Sequence, residues 1–296
     1  MNVRTKLGLA GACVAALAFS ACGSNSLSGE PAGAGAPSAS VSSDADLAAK
    51  VPESIKSAGV IKVGTDSSYA PSEFLAGDGK TIQGFDVDVF NAVAAKLGVE
   101  AEFQTADFAS IINGVNGKKY DVGVSSFTIN DERKKQVNMV SYFSAGSQWA
   151  SAAGNPEGVD PDDACGKTIA VQTGTVQDTD DLPVRQEECG SDKIDILRYK
   201  DQSQATSAVV TGKADAMLAD SPVVAYAVQQ SSGKLESLGE IYEAAPYGYV
   251  VPKDQTDFAD ALAEALKAIE ADGTYQTSLE KWGVEQGAIT DFAVNP

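Results

Sequence analysis

Two stretches of this chain share one plan. NGKKYDVGVSS, residues 116–126, and TGKADAMLADS, residues 211–221, each read as a helix end, a Gly-Lys pair, an aspartate, a short apolar strand and then polar residues. Asp121 and Asp215 suit a structural role in both. The polar residues after each strand are the chemical candidates. In open α/β sheets ligands bind beyond the carboxyl ends of the strands, and Ser125, Ser126, Thr128 and Asp220 sit at such ends, one set in each half. Hydroxyls and a carboxylate can hold a small polar molecule and neutralise an ammonium. The chain contains no histidine. It therefore lacks the commonest general base, the commonest metal ligand and the Ser-His or Cys-His pairs of nucleophilic catalysis.

Strands alternating with helices must position these residues. Val60 to Asp66, Tyr120 to Val124, Thr168 to Val171, Ile194 to Leu197 and Ala214 to Leu218 read as strands. Helices are expected at Ser110 to Val115, Ser203 to Val210, Pro222 to Gln230 and Phe258 to Glu270, the last with Ala261, Leu262, Ala265, Leu266 and Ile269 on one apolar face. This alternation implies parallel α/β sheets. A chain of 296 residues exceeds one ordinary core and suggests two lobes or domains.

The net charge of -19 argues against a nucleic-acid partner and against peripheral binding to anionic lipid, because both need a basic face. Arg4 and Lys6 precede an apolar run from Leu7 to Phe19, too short to span a bilayer, so residues 1–21 read as a signal peptide. The residues from Gly23 to about Asp44 are Gly, Ser, Ala and Pro with almost no large apolar side chain, and a flexible tether is expected over 22–49. Cys165 and Cys189 are the only cysteine pair in the folded part. In an exported chain such a pair is most simply a disulfide, closing a loop of about 25 residues worth about 3 kcal/mol. Two thiolates without histidine fall short of a zinc site, and neither a metal nor a cofactor is expected.

GFDVDVFNAVAAKL, Gly84 to Leu97, is a turn and an amphipathic helix. Asp86 suits its N-cap, Val89, Val93 and Leu97 recur at helical spacing, and Gly98 stands where a left-handed residue ends a helix. Over its whole length the string resembles the signature of the family 3 bacterial solute-binding proteins, the extracytoplasmic receptors of amino-acid ABC importers. Ser20-Ala21-Cys22 likewise resembles a lipobox, with Phe19 where leucine is usual. It implies a mature N-terminus at Cys22, acylated with palmitate or a similar chain.

The family resemblance implies an α/β, two-lobed periplasmic-binding-protein fold of type II, with lobes joined by two crossover strands. One lobe would hold residues 50–148 plus 249–296 and the other 149–248, with crossovers at Gln148 to Ala152 and Tyr247 to Val251. It also implies the ligand contacts. In TDSSYAPSEF, Asp66 and Glu73 lie near the ligand side chain and Tyr69 is an aromatic wall, which Phe108 of ADFASII faces. In SSFTINDER, Ser125, Ser126, Thr128 and Arg133 hold the ligand carboxylate. In TGTVQ, Thr173, Thr175 and Gln177 contribute from the second lobe, and Asp220 takes the α-ammonium. A guanidinium matches a carboxylate bidentately, which supports that grouping.

The expectation is therefore a monomeric, membrane-anchored transport lipoprotein that is not an enzyme. It would capture a free polar amino acid and deliver it to an ABC permease. With Arg133 and Asp220 answered by the ligand's own α-groups, Asp66 and Glu73 remain without a cation in the same loops. That imbalance favours a basic ligand such as arginine, lysine or ornithine. Glutamine or asparagine is the alternative, and glutamate is disfavoured by repulsion. Another alternative is an enzyme resembling the cyclohexadienyl dehydratases of this fold, with Glu73 or Asp66 as a buried general acid.

Overall fold

The structure is a computed structural model and describes residues 42–296. The signal segment, Cys22 and the chain up to residue 41 lie outside the described residues. In order, the helices are α1 (Ala45–Lys50), α2 (Glu53–Ala58), α3 (Phe85–Lys96), α4 (Ile111–Asn116), α5 (Asp131–Gln136), α6 (Leu182–Glu188), α7 (Gln202–Val210), α8 (Ser221–Gln230), α9 (Thr256–Ala271) and α10 (Thr274–Glu280). The strands are β1 (Val60–Thr65), β2 (Ser68–Tyr69), β3 (Glu73–Leu75), β4 (Ile82–Gln83), β5 (Glu100–Thr105), β6 (Val122–Gly123), β7 (Asn138–Ala152), β8 (Thr168–Gln172), β9 (Asp195–Tyr199), β10 (Ala216–Asp220) and β11 (Leu235–Val251).

Eight strands form one sheet in the order β5-β1-β6-β11-β7-β10-β8-β9, and β2, β3 and β4 form a small antiparallel sheet beside it. β1 pairs in parallel with β5 and β6 at one end, and β8 pairs in parallel with β9 and β10 at the other. Between these ends run β7 and β11, paired antiparallel from Leu235 opposite Ala152 to Val251 opposite Asn138. The crossovers expected at Gln148 to Ala152 and Tyr247 to Val251 are the ends of these two much longer strands. Register shifts in β11 between Leu238 and Tyr242, and again before Ala245, bend the pair midway. Gly146 lies at this bend, where a Cβ would stand 2.5 Å from the Tyr242 carbonyl oxygen.

Each half of the sheet has its own apolar core. In the first, α3 and α9 bury Phe85, Val89, Phe90 and Val93 against Leu262, Leu266 and Ile269. Each such side chain stabilises by about 1.5–3 kcal/mol relative to exposure. In the second, Val209, Val223 and Val224 cover one sheet face, and Trp149, Ile169, Val171 and Leu218 fill the other. The strand expectations hold at β1, β8, β9 and β10. β5 was not expected, and its burial alternates without an apolar run. Residues 45–49, assigned to the tether from sequence, instead form α1. Asp44 caps it by accepting from the Asp46 and Leu47 amides, and Leu47 is buried. Cys165 and Cys189 are joined in a disulfide that ties the segment before β8 to the end of α6.

Candidate functional site

The shared sequence plan has a shared structural cause. Asp121 accepts the Lys62 amide of β1 at 2.8 Å, and Asp215 accepts the Thr168 amide of β8 at 2.8 Å. In each half an aspartate at the strand's start docks a neighbouring parallel strand, so both are structural. The polar residues at the far ends of β6 and β10 then meet across one pocket, lined by Tyr69, Phe108, Ser126, Thr128, Arg133, Thr175, Val176, Gln177 and Asp220.

On the first half, Asn130 caps α5 by accepting the Arg133 amide at 2.9 Å. The short helix turns Arg133 inward and leaves its neighbours at the surface. Arg133 is 7% exposed, while Lys134 pairs with Asp131 at 3.2 Å and Lys135 pairs with Glu132. The Arg133 guanidinium donates to the Thr128 carbonyl at 2.6 Å and to the Gly174 carbonyl, on the opposite half, at 3.0 Å. It lies 5.5 Å from the Phe108 ring centre and 5.4 Å from that of Phe127, which stack on each other. Two of its five N–H groups serve these carbonyls, and among the described residues it forms no ion pair. Burial pulls its pKa down to about 10, against the upward pull of the Asp220 charge, so it stays cationic at neutral pH.

On the second half, Asp220 stands at the N-cap position of α8, but its side chain makes no capping bond. The carboxylate turns into the pocket instead. It accepts from Gln177 Nε2 at 2.7 Å and from the Tyr247 hydroxyl at 2.7 Å, and it is hydrogen-bonded to Tyr69. Burial raises its pKa, while those three donors and Arg133 pull it back. Gln177 also donates to Ser147 at 2.9 Å. The loop carrying Thr175 is held by Asp178, which accepts the Gly174 amide at 2.9 Å and pairs with Arg198 at 2.6 Å. Gly174 has φ +85°, and a Cβ there would stand 3.0 Å from the Ala109 Cβ of the first half. Only glycine fits that conformation without strain.

Four expected contacts are absent from the pocket lining. Asp66 is buried behind it, accepting from the Ser68 amide and hydroxyl, the Phe108 amide and, across the halves, Gln172 Nε2 at 2.8 Å. Burial raises its pKa against those bonds. Ser125 donates to Glu73 at 2.6 Å and accepts the Asp66 amide, which makes it a scaffold residue. Thr173 bonds the Tyr199 carbonyl through its amide. Glu73 is fully buried and accepts from Ser125. It therefore neither faces the pocket nor supplies the unpaired negative charge counted from sequence. Asp86 is not the N-cap of α3; Gly84 holds that position, and a Cβ on it would strike the Ser72 carbonyl at 2.0 Å.

Sequence reasoning missed Tyr247, Gln172 and the placement of Asp86. Tyr247 is one aromatic in a strand read only as a connector, and no local pattern marks it. Gln172 precedes the matched loop by a single residue, and its burial at the end of β8 was the available signal.

Two half-sheets joined by a pair of long strands, with a buried cation and a buried carboxylate lining one pocket, are the architecture of a two-lobed binding protein. The chain belongs to the bacterial extracellular solute-binding proteins, family 3, whose model matches residues 61–285. It is 37% identical over 253 residues to the arginine-binding protein ArgT of Corynebacterium glutamicum, covering 84% of this chain and 83% of that protein. It is 30% identical over 230 residues to the L-cystine-binding protein TcyJ of Escherichia coli, covering 77% and 84%. Among solved structures, an ancestral arginine-binding protein bound to arginine superposes with a TM-score of 0.71 at 32% identity, covering 76% of this chain and 98% of that one. An ancestral amino acid-binding protein described as a precursor of cyclohexadienyl dehydratase superposes with a TM-score of 0.70 at 31% identity, covering 77% and 97%.

Proposed function

We propose that this protein is the extracytoplasmic receptor of an ABC importer and that it captures a free L-amino acid with a cationic side chain, arginine first. The observation that carries the reading is the opposition of Arg133, buried and in no ion pair among the described residues, to Asp220 across a pocket walled by Tyr69 and Phe108. An α-carboxylate completes the guanidinium, and an α-ammonium answers the aspartate. The Ser126 and Thr128 hydroxyls and the Thr175 loop add directional contacts from both sides. The resemblance to arginine-binding relatives supports a basic side chain.

In this reading the lobes are residues 50–148 plus 249–296 and residues 149–248. The long strands β7 and β11 serve as the hinge, and the permease receives the closed, loaded form. Lipidation at Cys22 would hold the receptor at the outer face of the cytoplasmic membrane. A binding role is favoured over dehydratase chemistry because Asp66 and Glu73 are both tied behind the pocket wall. Calorimetry with arginine, lysine, ornithine, glutamine, cystine and glutamate tests the assignment. Arginine is expected to bind tightest. Tight glutamate binding with no response to any basic amino acid would overturn it.

A further inference from the structure

Behind the pocket lies a pair of acids that the binding chemistry does not use. Glu73 of β3 and Asp86 of α3 are both fully buried, are held by the adjacent residues Ser125 and Ser126, and each keeps one oxygen without a partner. Asp86 Oδ2 accepts the Ser126 amide at 2.9 Å, the Ser126 hydroxyl at 3.3 Å and the Tyr142 hydroxyl at 2.6 Å. Glu73 Oε1 accepts only Ser125, at 2.6 Å. The remaining oxygens, Glu73 Oε2 and Asp86 Oδ1, are buried without any amide, hydroxyl or cation to donate to them. Two carboxylates cannot bond each other without a proton between them, and buried like charges disfavour double ionisation. The acceptor count says where the proton resides. Asp86 is stabilised as the anion by three donors, whereas Glu73 has one.

The groups that face the pair are Ser125 and Ser126 after β6, Tyr69 of β2, Tyr142 of β7, Tyr249 of β11, and Asp66 after β1. The three tyrosines are themselves pushed well above their ordinary range by burial, so they stay neutral, and Asp66 adds only further negative charge. Neither Glu73 nor Asp86 forms an ion pair among the described residues.

The pair touches the pocket through Ser126. Its φ is +49°, in the left-handed region that a non-glycine residue occupies at a cost. Both its amide and its hydroxyl are anchored on Asp86. We propose that Glu73 donates a retained proton to Asp86, and that this acid pair is a positioning device which holds Ser126, and with it the turn to Thr128, in the ligand-binding conformation. If Glu73 lost that proton, two buried anions would repel, Asp86 would withdraw, and Ser126 would relax. Burial raises the pKa of Glu73 well above the carboxyl range, and the Asp86 charge raises it further, in keeping with this geometry.

The proposal rests on the amino-acid-binding reading for its affinity effects, and the test separates the two. Glu73→Gln preserves shape and a permanent donor to Asp86. Its affinity for arginine at pH 7 is expected within about threefold of wild type. Above neutral pH wild type should weaken by at least about tenfold more than the variant, the titration of the ligand's own amine being common to both. Glu73→Leu, which keeps the bulk but cannot donate, should lose at least about tenfold at every pH, its melting curve showing that it is folded. Parallel pH profiles for wild type and Glu73→Gln would overturn the proposal. Two readouts need no ligand. The infrared carbonyl band of a protonated carboxylic acid should be present in wild type at neutral pH and absent in Glu73→Gln. By nuclear magnetic resonance, Ser126 amide exchange should accelerate with pH more in wild type than in the variant. If no amino acid binds but both signals appear, the function reading falls and the acid pair stands. If binding occurs but the band is missing, the pair falls alone.

Discussion

The turns after β6 and β10 begin from the same sequence plan and finish with opposite electrostatics. Each strand starts on an aspartate that docks the neighbouring strand at 2.8 Å, and each ends at the pocket. After β6 the chain enters the left-handed region at Ser126, turns at Thr128 and delivers Arg133 from a capped helix. After β10 it passes straight into α8 with Asp220 at the N-cap position. The cation is solvated by two carbonyls and two aromatic faces and forms no ion pair among the described residues, feeling Asp220 and Asp180 only at longer range. The carboxylate is solvated by Gln177, Tyr247 and Tyr69. The difference teaches that the two poles are satisfied unequally: Asp220 is met by hydroxyl and amide donors, whereas Arg133 has no carboxylate in direct contact, so on the proposed reading Arg133 gains more from a ligand.

That asymmetry can be broken directly. Arg133→Ala should cause the largest loss, because stranding one partner of a buried charge pair costs about 3–5 kcal/mol. Calorimetry should show at least a hundredfold weaker arginine binding, on the order expected from that energy, while Lys134→Ala leaves affinity within about twofold. Equal small effects would mean that the pocket is misassigned. Asp220→Asn should weaken binding by roughly tenfold to a hundredfold, less than Arg133→Ala, because the amide keeps an acceptor where a charge-assisted bond was.

Outside the two poles the effects should shrink or move to stability. Reducing the Cys165–Cys189 disulfide should destabilise the second half by about 3 kcal/mol and lower the melting temperature with arginine affinity nearly unchanged. A comparable loss of affinity would show that this half is not independently braced. The acid pair gives a pH signature. A carboxyl whose folded pKa is raised contributes stability that is fully present below its unfolded value and lost as pH rises through the folded value. The melting temperature of Glu73→Gln relative to wild type should therefore climb as pH rises from about 4.5 through the raised Glu73 value. The smallest effect is expected at Lys200, which pairs with Asp107 across the halves at 2.8 Å but is 74% exposed. Lys200→Ala should change affinity by less than about twofold and lose even that at high salt.

Much of the frame was legible from residues in order. The helix from Phe85 is there, ending at Gly98 with φ +73°, because helical spacing and a left-handed terminator are local properties. The two aspartate-strand plans were visible because each is contained in eleven consecutive residues. β5 and the full length of β7 and β11 were not. Their pairing depends on partners far away in sequence, as in Val60 opposite Glu100, Ala152 opposite Leu235 and Asn138 opposite Val251.

The site divides in the same way. Residue type alone, matched to the family's loops, brought Tyr69, Phe108, Ser126, Thr128, Arg133, Thr175, Gln177 and Asp220 to one pocket. It could not tell a carboxylate that faces the pocket from one that braces its wall. Asp66, Glu73 and Asp86 are the same chemistry in neighbouring loops. Which way each points was decided by the packing of α3 and the small β2–β4 sheet behind β6. Tyr247 reaches Asp220 only because β11 crosses between the halves at that residue. Chain order determined which groups were present and which helices and strands would carry them. The tertiary structure decided which charges met a partner, because burial and hydrogen bonding between distant segments set the direction of each side chain.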